Sequence, residues 1–224
     1  MLPSKMAFYS TQGGSASGIT YVGGLTDVFG DGGDSVSLTS LGLMQNDVVI
    51  AAVCCDGNIE APDGFTSAGW STLFGLDSSS SPGAHVIWKR MGATPDTSLA
   101  ATISDPGGVC IKAFRGVHTT TAIDVTSTTA SSGSGMPNPP TIYPVTDDCA
   151  IVIVGLLDDD NITATGPTNY TTDFLSANGS SLAGAATTMM GHRILSGSAA
   201  EDPGVFGGGG TDAWRAVTIA LRPA

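Results

Sequence analysis

Two stretches of this chain, Asp47-Val48-Val49-Ile50-Ala51-Ala52-Val53 and Cys149-Ala150-Ile151-Val152-Ile153-Val154-Gly155-Leu156-Leu157, are apolar at nearly every position, with no polar alternation. Both are rich in β-branched residues and fall well short of the about 18 residues an apolar helix needs to cross a bilayer. They read as strands covered on both faces. In an antiparallel sheet one face ordinarily meets solvent. The fold must therefore supply a further layer over each strand, from a long loop or from a partner subunit.

Helices cannot supply that layer from this composition. Of the 20 acidic residues only Glu60 and Glu201 are Glu, and Lys occurs only at Lys5, Lys89 and Lys112. Gly (31 residues), Pro (12 residues), Ser and Thr dominate instead, and these favour turns and strands. Further strand-like runs lie at Ile19 to Val22, Ser35 to Leu38, His85 to Arg90, Cys110 to Phe114, Thr187 to Leu195 and Trp214 to Leu221, with Gly, Pro, Asp and Ser clusters between them. Short strands divided by turn signals predict an all-β, antiparallel β-sandwich, jelly-roll-like in connectivity. Residues 1–18, with Gly13-Gly14-Ser15-Ala16-Ser17-Gly18, read as an N-terminal arm, and 19–224 as the sandwich domain.

Within 19–224 the order of features repeats. Asp47 and the run after it, Asp56-Gly57-Asn58, Pro62, Phe65-Thr66, Arg90 and Phe114-Arg115 find counterparts in Asp148, Asp159-Asp160-Asn161, Pro167, Tyr170-Thr171, Arg193 and Leu221-Arg222. The pattern predicts an internal duplication with halves at 47–116 and 148–222, joined by a Ser/Gly/Pro-rich connector at 127–144. Each half is expected to lend strands to both sheets, since neither could bury its apolar faces alone.

The chemistry-bearing residues form no catalytic pattern. His85, His118 and His192 accompany no G-x-S-x-G elbow, H-E-x-x-H or P-loop, and no pair of carboxylates is set apart by spacing. His192, beside Arg193 at a strand end, reads as a surface or interface imidazole. No cofactor or metal site is assigned; the hard oxygen donors that calcium takes are offered only by Asp158, Asp159 and Asp160 with Asn161, which also suit a solvated turn. The glycine runs Phe29 to Asp34 and Phe206 to Gly210 lack the strand-to-helix setting of a phosphate cradle and read as flexible loops. Phe65, Trp70, Phe74 and Tyr170 are the rings a carbohydrate platform would use. Cys54, Cys55, Cys110 and Cys149 have no metal spacing and read as buried free thiols. With a formal charge of −12 and scattered basic residues, nucleic-acid binding is excluded. Met1-Leu2-Pro3-Ser4-Lys5 lacks the apolar core of a signal peptide, so neither export by that route nor a membrane partner is expected.

Val36 to Leu38, Asn46-Asp47-Val48-Val49-Ile50, Pro62-Asp63-Gly64-Phe65-Thr66 and Phe114-Arg115-Gly116-Val117 together resemble β-sandwich virion proteins of tailed bacteriophages, the tail-fibre and decoration type. The family form is roughly G-D-x-x-x, then P-x-G-[FW]-T, then [FY]-R-G-V, and Asn46 stands where Gly is favoured. The likeness covers about 19–120. It implies a non-enzymatic structural protein on the virion surface, made in the host cytoplasm, a decoration or fibre-like module. A homotrimer is expected, with the arm reaching other virion proteins. The alternative is a carbohydrate-binding module that recognises host surface glycan through loops at the ends of the sandwich, and a polysaccharide-degrading enzyme using aspartates is a third.

Overall fold

The computed structural model describes residues 18–30, 34–56, 65–76, 82–103, 105–159, 162–171, 176–178 and 186–224. Among them the chain is all-β. One sheet holds, in spatial order, β1 (Thr20–Phe29), β7 (Gly107–Arg115), β3 (Val48–Cys55), β5 (Gly83–Arg90) and β4 (Ser71–Leu76). The other holds β8 (Thr128–Ser132), β12 (Trp214–Leu221), β9 (Ala150–Leu157), β11 (Thr187–Ile194) and β10 (Ser176–Asn178). A short pair, β2 (Asp34–Ser37) with β6 (Ser98–Ala101), lies outside the first sheet, and all pairings between named strands are antiparallel. The expected N-terminal arm at 1–18 falls, apart from Gly18, outside the described residues.

Two expectations about connectivity are corrected. Each half of the chain builds one whole sheet instead of contributing to both, and the strands do not alternate between sheets as a jelly roll requires. Residues 128–132 of the Ser/Gly/Pro-rich stretch are not a link but β8, paired along β12 from Thr218↔Thr128 to Trp214↔Ser132. The chain passes from one sheet to the other at 116–121, where Thr119, Thr120 and Thr121 are exposed. There it meets its own C-terminus: Val117 bridges Pro223, and the Ala224 N–H donates to the Gly116 carbonyl at 2.9 Å.

Side-chain alternation sorts the two apolar runs into layers. From β3, Val48, Ile50, Ala52 and Cys54 point between the sheets and meet Ala150, Val152, Val154 and Leu156 of β9 in one core. The outward set Val49, Ala51, Val53 and Cys55 lies under Phe29, Val36, Leu38, Leu41, Leu99 and Ile103. On the second sheet, Ile151 and Ile153 lie under Ile142, Leu195 and Phe206. At about 1.5–3 kcal/mol per fully buried aliphatic side chain, the outward residues stabilise the fold as much as the inward ones. The segments above them, the β2–β6 pair and the adjoining loops, are thus part of the folding unit.

The same geometry removes the reason for a trimer. All eight residues of β3 and all eight of β9 are buried within a single chain, so these two strands need no partner subunit to cover them.

Candidate functional site

Two of the segments that carry the virion-protein resemblance, Asn46 to Ile50 and Phe114 to Val117, meet at one corner, whereas Phe65 lies toward the other end of the sheet, beside His85 and Ala101, and Pro62 to Gly64 lie outside the described residues. Asn46 adopts φ 71°, a left-handed conformation that Gly takes freely and Asn tolerates, which explains the preference for Gly there. That turn aims Asp47, fully buried, at the end of β7, where Arg115 grips it with two parallel bonds, Nε to Oδ1 at 2.8 Å and Nη2 to Oδ2 at 2.7 Å. The Met44 N–H donates to Oδ2 at 2.7 Å as well. The bonded carboxylate raises the Arg115 pKa further above its ordinary value. Such a fork fixes geometry, and its polar atoms are consumed in doing so.

A second arrangement occurs once in each half. In the first, Lys89 near the end of β5 pairs with Asp96 at 2.7 Å, and the Trp70 indole N–H donates to the same carboxylate at 3.2 Å. In the second, Arg193 near the end of β11 pairs with Glu201 at 2.8 Å, and the Tyr170 hydroxyl donates to it at 2.9 Å. Burial in this acidic company pushes the Tyr170 phenol well above its ordinary pKa. Each trio ties the loop after a long strand back onto the sheet. Open hollows of about 350 Å³, against Leu38, Thr39 and Asp96, and about 180 Å³, against Arg193, Leu195 and Glu201, adjoin these loops. Their charged walls are the paired groups just named.

A third cluster lies between the sheets and was not legible as such in the sequence. Lys112, in the middle of β7, is fully buried with its ammonium 4.9 Å from the centre of the Tyr21 ring. The His192 imidazole stacks on Tyr21 at 4.0 Å and meets Phe114 edge-on at 5.5 Å. A lone Lys inside the run from Val109 to Phe114 was the only signal. His192 is only 4% exposed, so the expected surface imidazole is a core residue. His85 is likewise buried, with its Nε2 3.3 Å from the Thr72 hydroxyl. His118 instead accepts the Thr121 N–H at 3.2 Å and closes the turn at 118–121.

The other expected site residues are dispersed. Asp158 and Asp159 follow β9 while Asp160 lies outside the described residues, and among those described no three His, Cys, Asp or Glu side chains group as a metal would require. Phe65 and Trp70 belong to the outer layer of the first sheet, Tyr170 to that of the second and Phe74 to the core between them, so the four rings do not form one platform. The run Phe206 to Gly210 is packed at both ends, with Gly208 and Gly209 exposed between them. Phe206 is 1% exposed, and a Cβ at Gly210 would stand 2.6 Å from the Leu157 side chain.

All four cysteines are free and buried. Burial pushes the Cys54 thiol well above its ordinary pKa, with Cys55 and Asp158 adding to the shift, and pushes Cys149 up to about 12. Because the thiolate is the reactive form, a thiol reagent at pH 8 should label the folded protein negligibly and all four positions after unfolding without reductant. Fast labelling of the native chain, or fewer than four thiols after unfolding, would contradict this.

Asp124 gives the corner before β9 a pH dependence. Burial raises its pKa, but bonds from the Thr146 hydroxyl at 2.6 Å and the Val145 and Thr146 N–H groups at 2.7 and 3.2 Å outweigh burial and lower it below 3.8. A carboxyl lowered on folding stabilises the native state above its unfolded pKa, and that contribution fades as pH falls through the folded value. Urea midpoints should therefore decline more steeply below about pH 4 in the wild type than in Asp124→Asn. Parallel curves would show the bonds to be energetically silent.

What fold and site define is a two-sheet antiparallel β-sandwich whose charged groups serve as structural ties and whose outer faces are covered by its own loops. No protein-family model, curated protein or solved structure matches the chain.

Proposed function

We propose that this chain is a non-enzymatic structural protein on the exterior of a tailed-bacteriophage particle, a decoration or fibre-like module. The observation that carries the proposal is the use made of the resemblance's own residues. Asp47 and Arg115, 68 positions apart, meet in one buried fork, and Asn46 holds the left-handed turn that presents the acid. Motifs spent on holding a corner suit a protein whose work is to keep its shape. The formal charge of −12 keeps such a surface soluble and away from nucleic acid. Residues 1–18 are assigned to attachment on neighbouring virion proteins.

Antibodies against the purified protein should label intact particles of the phage that encodes it, and deletion of 1–18 should abolish rebinding to particles that lack it. Abundant protein in the lysate with none on purified particles would overturn the assignment. So would release of sugars from host polysaccharide by the isolated chain.

A further inference from the structure

We infer that the chain is a covalently joined dimer: two copies of one five-stranded unit, each presenting its inner sheet face as a docking surface whose partner is the other copy. The strand order β1-β7-β3-β5-β4 is repeated as β8-β12-β9-β11-β10 when each half is read in chain order. Register agrees at single residues. Val48 stands opposite Phe114, and Ala150 opposite Leu221. The Met91 N–H donates to the Asp47 carbonyl at 2.8 Å, and the Leu195 N–H to the Cys149 carbonyl at 2.9 Å. The Leu38 N–H donates to Thr97, and the Ile142 N–H to Glu201, both at 2.9 Å.

The loop ties repeat in chemistry without repeating in identity. Lys89, Asp96 and Trp70 become Arg193, Glu201 and Tyr170, so the cation and the aromatic donor keep their places while the carboxylate moves by one residue, Glu201 standing at the place of Thr97, and every residue type changes. A composition bias in a Gly- and Ser-rich chain has no means of producing that.

Across the interface the contact is mostly apolar, interrupted by the cluster of Lys112, Tyr21 and His192 and by a few directional bonds from one unit to the other. The Thr188 hydroxyl donates to the Gly108 carbonyl at 2.6 Å, and the Cys110 thiol donates back to the Thr188 carbonyl at 3.2 Å. Because each half is contiguous, the chain crosses between units once, at 116–121, through the exposed Thr119 to Thr121. The two units are thus held by their inner faces rather than by the peptide link.

The test replaces Thr119–Thr121 in the full chain with a site-specific protease sequence and cuts it. The halves should co-elute one to one at micromolar concentration, separate only in denaturant and recombine on its removal. In the cut chain, Met190→Ala on the inner face should raise the dissociation constant at least tenfold. Phe206→Ala, in the outer cover, should leave it within threefold. Halves that separate without denaturant would overturn the proposal, as would equal weakening by both substitutions. Failure of the uncut variant to fold would count against it too, since an exposed join between complete units tolerates replacement.

Discussion

Gly107→Ala should be the most damaging glycine-to-alanine change among the described residues. Gly107 opens β7 between Phe29 of β1 and Cys55 of β3, and it bridges Ala186, where the two sheets meet. A Cβ there would stand 2.1 Å from the Cys54 carbonyl oxygen, a backbone atom that cannot turn aside as a side chain could. Overpacking a core usually costs about 1–3 kcal/mol. Here the end of a central pairing must open, so a loss at or above about 3 kcal/mol is expected, roughly 6–12 °C in melting temperature for a chain of this size. Gly92→Ala is the control, since its added methyl meets nothing within 4 Å. It should be neutral or stabilise by up to about 1 kcal/mol through the unfolded chain. Thermal melts of the two variants side by side decide the matter, and a Gly107→Ala protein that melts with the control would mean the strand end can shift freely.

The Asp47–Arg115 fork should respond asymmetrically to removal of its two partners. The Asp47 side chain is wholly buried, whereas that of Arg115 is 42% exposed. In Arg115→Met the carboxylate keeps only the Met44 N–H and cannot reach water, so about 3–5 kcal/mol is lost, the penalty for stranding a buried charge. In Asp47→Asn the guanidinium turns to solvent and the loss is about 1–2 kcal/mol. Urea unfolding at neutral pH should therefore rank Arg115→Met well below Asp47→Asn. Equal losses, or the reverse order, would show the energy to lie in the arginine.

Strands could be read from the sequence where burial on two faces wrote an apolar run: β3, β5, β7, β9, β11 and β12 all fall on such runs. The edge strands β4, β8 and β10 and the outer β6 escaped. Thr128-Thr129-Ala130-Ser131-Ser132 pairs on one side only and needs no apolar pattern, and Ser98 to Ala101 is too short to show a period. The need for a second cover was legible in Val48 to Val53, but its source was not. Apolar cover residues such as Leu38, Ile103 and Phe206 are single positions outside the strands, and periodicity says nothing about a residue that buries alone.

The matching of the two halves in the sequence agrees with the structure at Phe114 and Leu221 but is one residue out at Asp47 and at Arg90. The residue before β3 is Asp47 and that before β9 is Cys149, while the left-handed position is Asn46 in one half and Asp148, at φ 60°, in the other. Matching Asp47 to Asp148 aligned identity at the expense of conformation. The loop ties were hidden for a related reason, since Trp70 corresponds to Tyr170 and Lys89 to Arg193 only once Ser71 and Thr171 are seen opposite Trp88 and His192.

The pairing of the C-terminal Pro223 and Ala224 with Gly116 and Val117 gives the molecule a direction. Thr20, the first residue of β1, sits opposite Arg115, so the described chain enters and leaves at the same pole. Asp56 and Asp158, just beyond the far ends of β3 and β9, mark the opposite pole. Anything tethered through the N-terminal segment, or fused after Ala224, would therefore crowd one pole and leave the acidic one pointing outward. A tag or cargo joined directly at Gly18 or after Ala224 would share that near side, and an insertion among the far loops would be displayed on the other.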